Sequence, residues 1–394
     1  MRYFLSGYLL VIGSSVLAGG DASLQEDIDT VVKQGRGTPE GRSAWDRLSQ
    51  AKAGALPALL EGMNTKDTVA SNWLRAAFDR IVESEMKTGG RSIESAKVLA
   101  FVQDPTKQGR ARRVALDLLD RLTPGASAKL YPHWLDDPEF RYEAVGLVLE
   151  KASDAAKAGN SSSAVKQYRQ AFEKSRDMLQ ARRAALGLQE AGINVSVAEH
   201  LGFLVDWHLI GPFDGKGQKG FHLAYPPEKK VDLTEEYDGQ SGKVRWKRFH
   251  VKETAPNSKD RHQALVNLAD KNALGNADDA VAFAYAEFTT DKALKAEMRG
   301  AADDNFTVWV NGVKVFAFEE WRNGVRHDRH RFAVDLKEGK NTVLVKICQT
   351  MAPNPEPNWE FFLRVVDATG KGIPMKSRGE GLGVSEETPR RFSL

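Results

Sequence analysis

The hydrophobic pattern of this chain changes period once, near Leu201, and that change constrains the fold more than any other feature. From Ser23 to about His200, apolar residues recur three and four positions apart, as in Leu56, Leu59, Leu60 and Met63, or Ala115, Leu118, Leu119 and Leu122, or Val145, Val148, Leu149 and Ala152. That spacing lines one face of a helix. Beyond Leu201 the apolar residues come in short alternating runs broken by Gly, Pro, Asn and Asp, which is the period of strands. The pattern predicts a multidomain α + β protein: a helical domain over 23–200, a β-sandwich over 201–376 and a flexible tail over 377–394. The length of 394 residues agrees, because single cores rarely grow past roughly 250–300 residues.

Charge narrows the partners. The formal net charge is +3, with 28% charged and 41% hydrophobic residues and a mean hydropathy of −0.44, and the excess is shared evenly between the two halves. A nucleic-acid binder concentrates positive charge in one domain, so no nucleic-acid partner is expected. At the N-terminus, Arg2 precedes an apolar run through Phe4, Leu5, Leu9, Leu10 and Ile12 that ends in small residues. This reads as a signal peptide over 1–18 with cleavage after Ala18. The run is shorter than the roughly 20 residues a bilayer span needs, so the expectation is a secreted or periplasmic protein with no membrane span after cleavage. Cys348 is the only cysteine, which excludes an intramolecular disulfide and a cysteine-based zinc site. It ends the apolar run Val343 to Cys348, where a buried, inert thiol is expected, and an exported chain without disulfides fits a bacterial envelope.

The helical half repeats itself. Asp104-Pro105 and Asp137-Pro138 each close a helix and are followed by a second helix carrying arginine, with Arg112, Arg113 and Ala115 after the first and Arg141, Ala144 and Val145 after the second. A looser copy runs from Leu56-Pro57 through Asp67 to Arg75 and Ile81. The pattern resembles HEAT-type repeats over roughly residues 45 to 152, and Ala158-Gly159 with Ala164, Tyr168, Ala171 and Phe172 resembles a tetratricopeptide (TPR) helix pair. The resemblance implies an α-solenoid, whose stacked pairs bury a continuous core and offer a curved surface to a protein partner.

In the second half, the block Trp207 to Asp214 reads as an apolar strand stopped by the Gly211-Pro212 turn, and further strands are expected at Val244 to Phe249, Ala280 to Phe288, Leu294 to Gly300, Phe306 to Val310, Val313 to Phe318, His330 to Leu336, Thr342 to Gln349 and Trp359 to Asp367. Asn311-Gly312 between alternating apolar runs is the strongest hairpin signal, since both residues accept positive φ. The block Asp303-Asp304-Asn305-Phe306-Thr307-Val308-Trp309-Val310-Asn311-Gly312, followed by Leu336-Lys337-Glu338-Gly339-Lys340-Asn341-Thr342-Val343-Leu344-Val345-Lys346, resembles the galactose-binding-like jelly-roll modules appended to bacterial glycoside hydrolases and esterases. The likeness covers about residues 280 to 368. It implies a jelly roll that either binds a glycan or serves as a structural spacer.

Two segments carry the candidate chemistry. Residues 319–331 form the densest polar stretch, and a sugar site needs an aromatic face together with planar polar groups, which Trp321, Arg322, Asn323 and Arg326 supply. A solvated, charge-balanced loop is the plainer alternative. Asp303 and Asp304 offer adjacent carboxylates to a structural Ca²⁺, a cation that takes 6 to 8 oxygen ligands, or else they shape a turn. No nucleophile elbow, zinc-protease helix or phosphate loop is present, so no catalytic residue is assigned. The reading is a secreted, non-catalytic binding or scaffold protein with a docking solenoid and a carbohydrate-binding-like jelly roll. The alternatives are a glycoside or ester hydrolase with its site at the domain junction, and a structural envelope component.

Overall fold

The computed structural model describes residues 18–34, 37–259, 262–321, 324–350 and 358–377. The predicted signal peptide, apart from Ala18, and the predicted tail, apart from Ser377, lie outside the described residues.

The chain divides into two compact units, 1–144 and 145–394. The first unit is helical: α1 (Ala18–Gln34), α2 (Pro39–Ser49), α3 (Leu56–Gly62), α4 (Thr68–Met86), α5 (Ser95–Gln103), α6 (Gly109–Leu122), α7 (Ala126–Leu130) and the start of α8 (Arg141–Lys157). Capping side chains fix where these helices begin. The Asp67 carboxylate accepts the Val69 and Ala70 amides at 2.9 and 3.3 Å, and Gln108 accepts the Ala111 amide, each satisfying donors that a helix start leaves open. Consecutive helices pack in pairs, α3 with α4 and α5 with α6, over a core that includes Leu59, Leu60, Leu74, Phe78, Val102, Ala115 and Phe140.

The second unit takes in the rest of α8, followed by α9 (Ser161–Lys174), α10 (Met178–Glu190), α11 (Val197–Leu201) and the short α12 (Pro226–Lys229). The helical stretch over 23–200 is therefore shared between the two units. The physical reason is that Met178, Ala181, Ala185, Val197, Ala198 and Leu201 share one apolar core with the strands that follow them.

Those strands are β1 (Asp206–Asp214), β2 (Glu236–Gly239), β3 (Gly242–Arg245), β4 (Lys247–His250), β5 (Val266–Asn267), β6 (Ala280–Thr290), β7 (Leu294–Ala302), β8 (Phe306–Val310), β9 (Val313–Phe318), β10 (His330–Leu336), β11 (Gly339–Gln349), β12 (Glu360–Val366) and β13 (Lys376–Ser377). They form an antiparallel sheet ordered β4-β1-β6-β11-β8-β9 with β13 also on β6, a second ordered β10-β7-β12-β5, and a β2-β3 ribbon. The two larger sheets face each other, as the edge-on contact of Trp207 with Phe361 at 5.2 Å shows. From β6 onward the chain passes between the sheets repeatedly, with only the β8-β9 hairpin staying in one. Its turn is the expected Asn311-Gly312, at φ +51° and +82°, and the buried Asn341 amide ties that hairpin to the following turn by accepting from Asn311 Nδ2 at 2.9 Å and donating to the Lys337 carbonyl at 2.8 Å.

The expected strand over Val244 to Phe249 is split at Trp246, with β3 in the ribbon and β4 on the edge of the large sheet. The segment between β1 and β4 covers the outer face of that sheet. There Ile210, Phe213, Tyr225, Val281, Phe283, Tyr285, Trp309, Leu344 and Cys348 form a second apolar cluster. Lys346, only 2% exposed, anchors this cover by donating to the Phe221 and Leu223 carbonyls at 3.3 and 2.6 Å and to Glu228 Oε1 at 2.8 Å. All three of its donors are used, which is the condition for burying an ammonium.

Candidate functional site

Asp303, Asp304 and Asn305 join β7 to β8 at one end of the sandwich. The Asp303 amide donates to the Glu360 carbonyl at 2.9 Å and its own carbonyl accepts the Gly324 amide at 3.1 Å, so the strand end and the 319–331 loop meet here. Burial, helped by the neighbouring Asp304 charge, pushes the Asp303 carboxyl up to about 6. Asp304 is 2% exposed, and its Oδ2 accepts the Thr350 amide at 2.8 Å. Asn305 is fully buried, and neither its Oδ1 nor its Nδ2 has a hydrogen-bond partner among the described residues. The register that pairs Phe361 with Ala302 places Trp359 opposite Asp304 two residues further on. The Trp359 indole N–H is likewise buried, with no partner among the described residues.

The basic loop is held largely by internal bonds. Asp328 accepts Arg364 Nε at 2.7 Å, a second bond from Arg364 Nη2, and Arg299 Nη1 at 3.3 Å. Burial raises the Asp328 carboxyl, but the Arg364 hydrogen bond and charge outweigh it and hold the group below the usual carboxylate range. His327 stacks on Phe203 at 5.5 Å, His330 lies among Phe306, Phe316 and Phe318, and Arg329 pairs with Glu320. Burial lowers the pKa of both histidines, so each is held neutral.

The predicted site residues fare differently. Trp321 is half-buried against the outer-face apolar cluster, and Arg326 is exposed. Arg322 and Asn323 lie outside the described residues. Asp303 and Asp304 are adjacent, close enough for the Asp304 charge to raise the Asp303 carboxyl, and Asn305 follows them in the chain. Among the described residues no group of three or more His, Cys, Asp or Glu side chains forms a metal cluster. A hard cation at this position therefore needs Asn305 and backbone carbonyls beside the two carboxylates, and the unpaired Asn305 oxygen fits that donor set. Cys348 is buried and its thiol is pushed up to about 12 by burial, far from the range of a reactive thiolate.

Sequence reasoning missed a groove of about 280 Å³ in the second unit, lined among others by Glu199, Phe203, Asp206, His250, Glu253, Glu287, Phe288 and Met375. These residues come from segments as far apart as Glu199 and Met375, and no local motif announces them. No helix among the described residues is long and apolar enough to cross a membrane.

No family model matches the chain, and no curated protein matches it. Among solved structures, a GH2 β-galacturonidase from Eisenbergiella tayi bound to glycerol gives a TM-score of 0.22 at 11% identity, covering 41% of this chain and 25% of that one. A β-glycosidase from Bacteroides vulgatus gives 0.20 at 14% identity, covering 42% and 20%, and a glycoside hydrolase family 2 β-glucuronidase gives 0.22 at 14% identity, covering 44% and 18%. The chain thus matches a quarter or less of each of these proteins, and likeness of that size identifies neither a shared fold nor a shared chemistry.

Proposed function

We propose that this is an exported binding protein whose β-sandwich is a jelly roll that holds a glycan at the loop end built by Asp303, Asp304, Trp321 and Arg326, with a structural Ca²⁺ on Asp303, Asp304 and Asn305. The observation that carries this reading is the buried Asn305 amide, which has no hydrogen-bond partner among the described residues and follows Asp303 and Asp304 directly in the chain. An unsatisfied buried polar group costs roughly 1–3 kcal/mol, and a cation bound there removes that cost at the oxygen. The strand path from β6 to β12, which changes sheet at every step but the β8-β9 hairpin, supports the jelly-roll reading. The paired packing of α3 with α4 and α5 with α6 supports stacked helical repeats that dock a protein.

When bound, the cation would neutralise the two carboxylates and fix the β7-β8 connection. Trp321 would then present an apolar ring to the C–H face of a sugar, and Arg326 a planar set of donors to its hydroxyls. The test is a glycan array probed with the whole protein and with Trp321→Ala, together with calcium calorimetry on the protein and on Asp304→Asn. Retained glycan signal in Trp321→Ala sinks the sugar site, and calcium affinity equal in Asp304→Asn sinks the cation site. N-terminal sequencing of the mature protein tests export, since a chain that still begins at Met1 rejects cleavage after Ala18.

A further inference from the structure

The even balance of charge along the chain hides one local exception, at the β4 end of the large sheet. From Lys243 to Lys252 the sequence holds Lys243, Arg245, Lys247, Arg248 and Lys252 and no acidic residue. All five side chains are exposed, on β3, on β4 and just beyond it. The facing strand of the ribbon compensates two of them: Lys243 pairs with Asp238 at 2.5 Å, and Arg245 with Glu236. No carboxylate among the described residues pairs with Lys247, Arg248 or Lys252. Glu253, the acidic residue next along the chain, is turned to α11, where it accepts the Val197 and Ala198 amides. The Asp206 carboxylate on β1 is taken by His250 at 2.8 Å. Strand residues advance about 3.3 Å each, so three uncompensated cations stand within roughly 17 Å of extended chain.

Charge on an outer strand also discourages pairing with other sheets, but either sign serves that purpose, and here every uncompensated charge is positive. The rings among the cations are packed into the protein's own apolar clusters, Trp246 over the outer sheet face and Phe249 against the core between the sheets. Single-stranded nucleic acid is held by aromatic faces on which bases stack, whereas a linear carboxylate polymer needs only a row of charged donors. We propose that the β4 edge binds an acidic polysaccharide of the uronate class, its carboxylates meeting Lys247, Arg248 and Lys252. This surface uses none of the loop-end residues, so either reading can fail without the other.

The test is fluorescence anisotropy of the full chain with dye-labelled polygalacturonate. Saturable binding is expected, weakening about tenfold when salt rises from about 0.05 to 0.2 M, because bound cations displace counterions from the polymer. The triple change Lys247→Gln, Arg248→Gln and Lys252→Gln should weaken binding about tenfold or more and flatten its salt dependence. Lys52→Gln, Lys66→Gln and Arg91→Gln together remove the same charge at exposed positions of the first unit and should leave binding unchanged. Methyl-esterified polygalacturonate, which keeps the chain but loses the charge, should not bind. No saturable binding, equal loss in the two triple variants, or unchanged affinity for the methyl ester would each overturn the proposal. So would single-stranded DNA binding as tightly as the uronate polymer, or capture by phosphatidylglycerol vesicles without capture by polygalacturonate, since a nucleic acid or a lipid surface would then be the occupant.

Discussion

Arg112 and Asp137 form a buried bidentate ion pair, with Nη1 and Nη2 donating to the two carboxylate oxygens at 3.1 and 2.6 Å. Arg112 is 1% exposed, its Nε donates to the Val102 carbonyl at 2.8 Å, and its guanidinium lies 4.8 Å over the Phe140 ring. Asp137 also accepts the Glu139 and Phe140 amides. One carboxylate therefore shapes the turn before α8 and joins it to α6. The arginine that follows Asp104-Pro105 thus meets the aspartate of Asp137-Pro138.

Removing one member leaves the other buried and unpaired. Asp137→Ala is expected to cost about 3–5 kcal/mol, read as a lowered midpoint in denaturant unfolding of the first unit. The double change Arg112→Met with Asp137→Leu should cost less than either single change, because no charge is then stranded. Equal losses in all three proteins would show that the pair contributes packing rather than charge compensation.

What the sequence reveals here follows the range of the interaction. The Asn311-Gly312 hairpin and the turn at Gly339 are local, and both stand where the residues put them. The cover on the outer sheet face was announced only indirectly: β6 reads Ala280 to Ala286 almost without a polar residue, the composition of a strand buried on both faces, rather than an alternating one. The partner of Asp328 lies 36 positions away at Arg364, and no spacing rule connects them. For that reason the polar loop reads as a free ligand surface in sequence, while the structure shows many of its charges satisfied internally. Helical periodicity likewise shows that α10 and α11 have an apolar face but not that the sandwich covers it.

His200 supplies a pH dependence. Its Nε2 lies 3.0 Å from the Ser175 carbonyl, its ring rests 4.3 Å from Phe172, and burial pushes its pKa down to about 4. The unfolded chain takes up this proton near pH 6.5 and the folded one only near 4. Stability should therefore fall as pH drops from about 6.5 towards 4, by at most about 3 kcal/mol from this group. Denaturant midpoints measured across that window should flatten in His200→Gln, and an unchanged slope would reject the assignment.

Asp303 works in the opposite sense. Its folded carboxyl titrates near 6, above the usual value near 3.9, so the folded state is penalised as pH rises through this window and the penalty is absent below it. Asp303→Asn should raise the melting temperature at pH 7 in the presence of a chelator and change it little at pH 4. If the proposed calcium site forms, calcium added at pH 7 should reverse the order, because the variant would lack one ligand charge. A variant no more stable than the parent in chelator would show that the carboxyl is not held under strain.

Cys348 gives a direct probe of global opening. It is 1% exposed, and burial pushes its thiol up to about 12, so a thiol reagent must wait for the sandwich to unfold. Its position on β11, between β6 and β8, makes local fraying an ineffective route. Labelling at pH 8 is expected to be slower than that of a free thiol by a factor close to the unfolding equilibrium constant, and to accelerate with denaturant along the global transition. Lys346→Met removes the ammonium that holds the Phe221 and Leu223 carbonyls and Glu228 over the same sheet face. It should raise the labelling rate at low denaturant, where the parent is protected. Equal rates in the two proteins would mean that the cover stays in place without its lysine anchor.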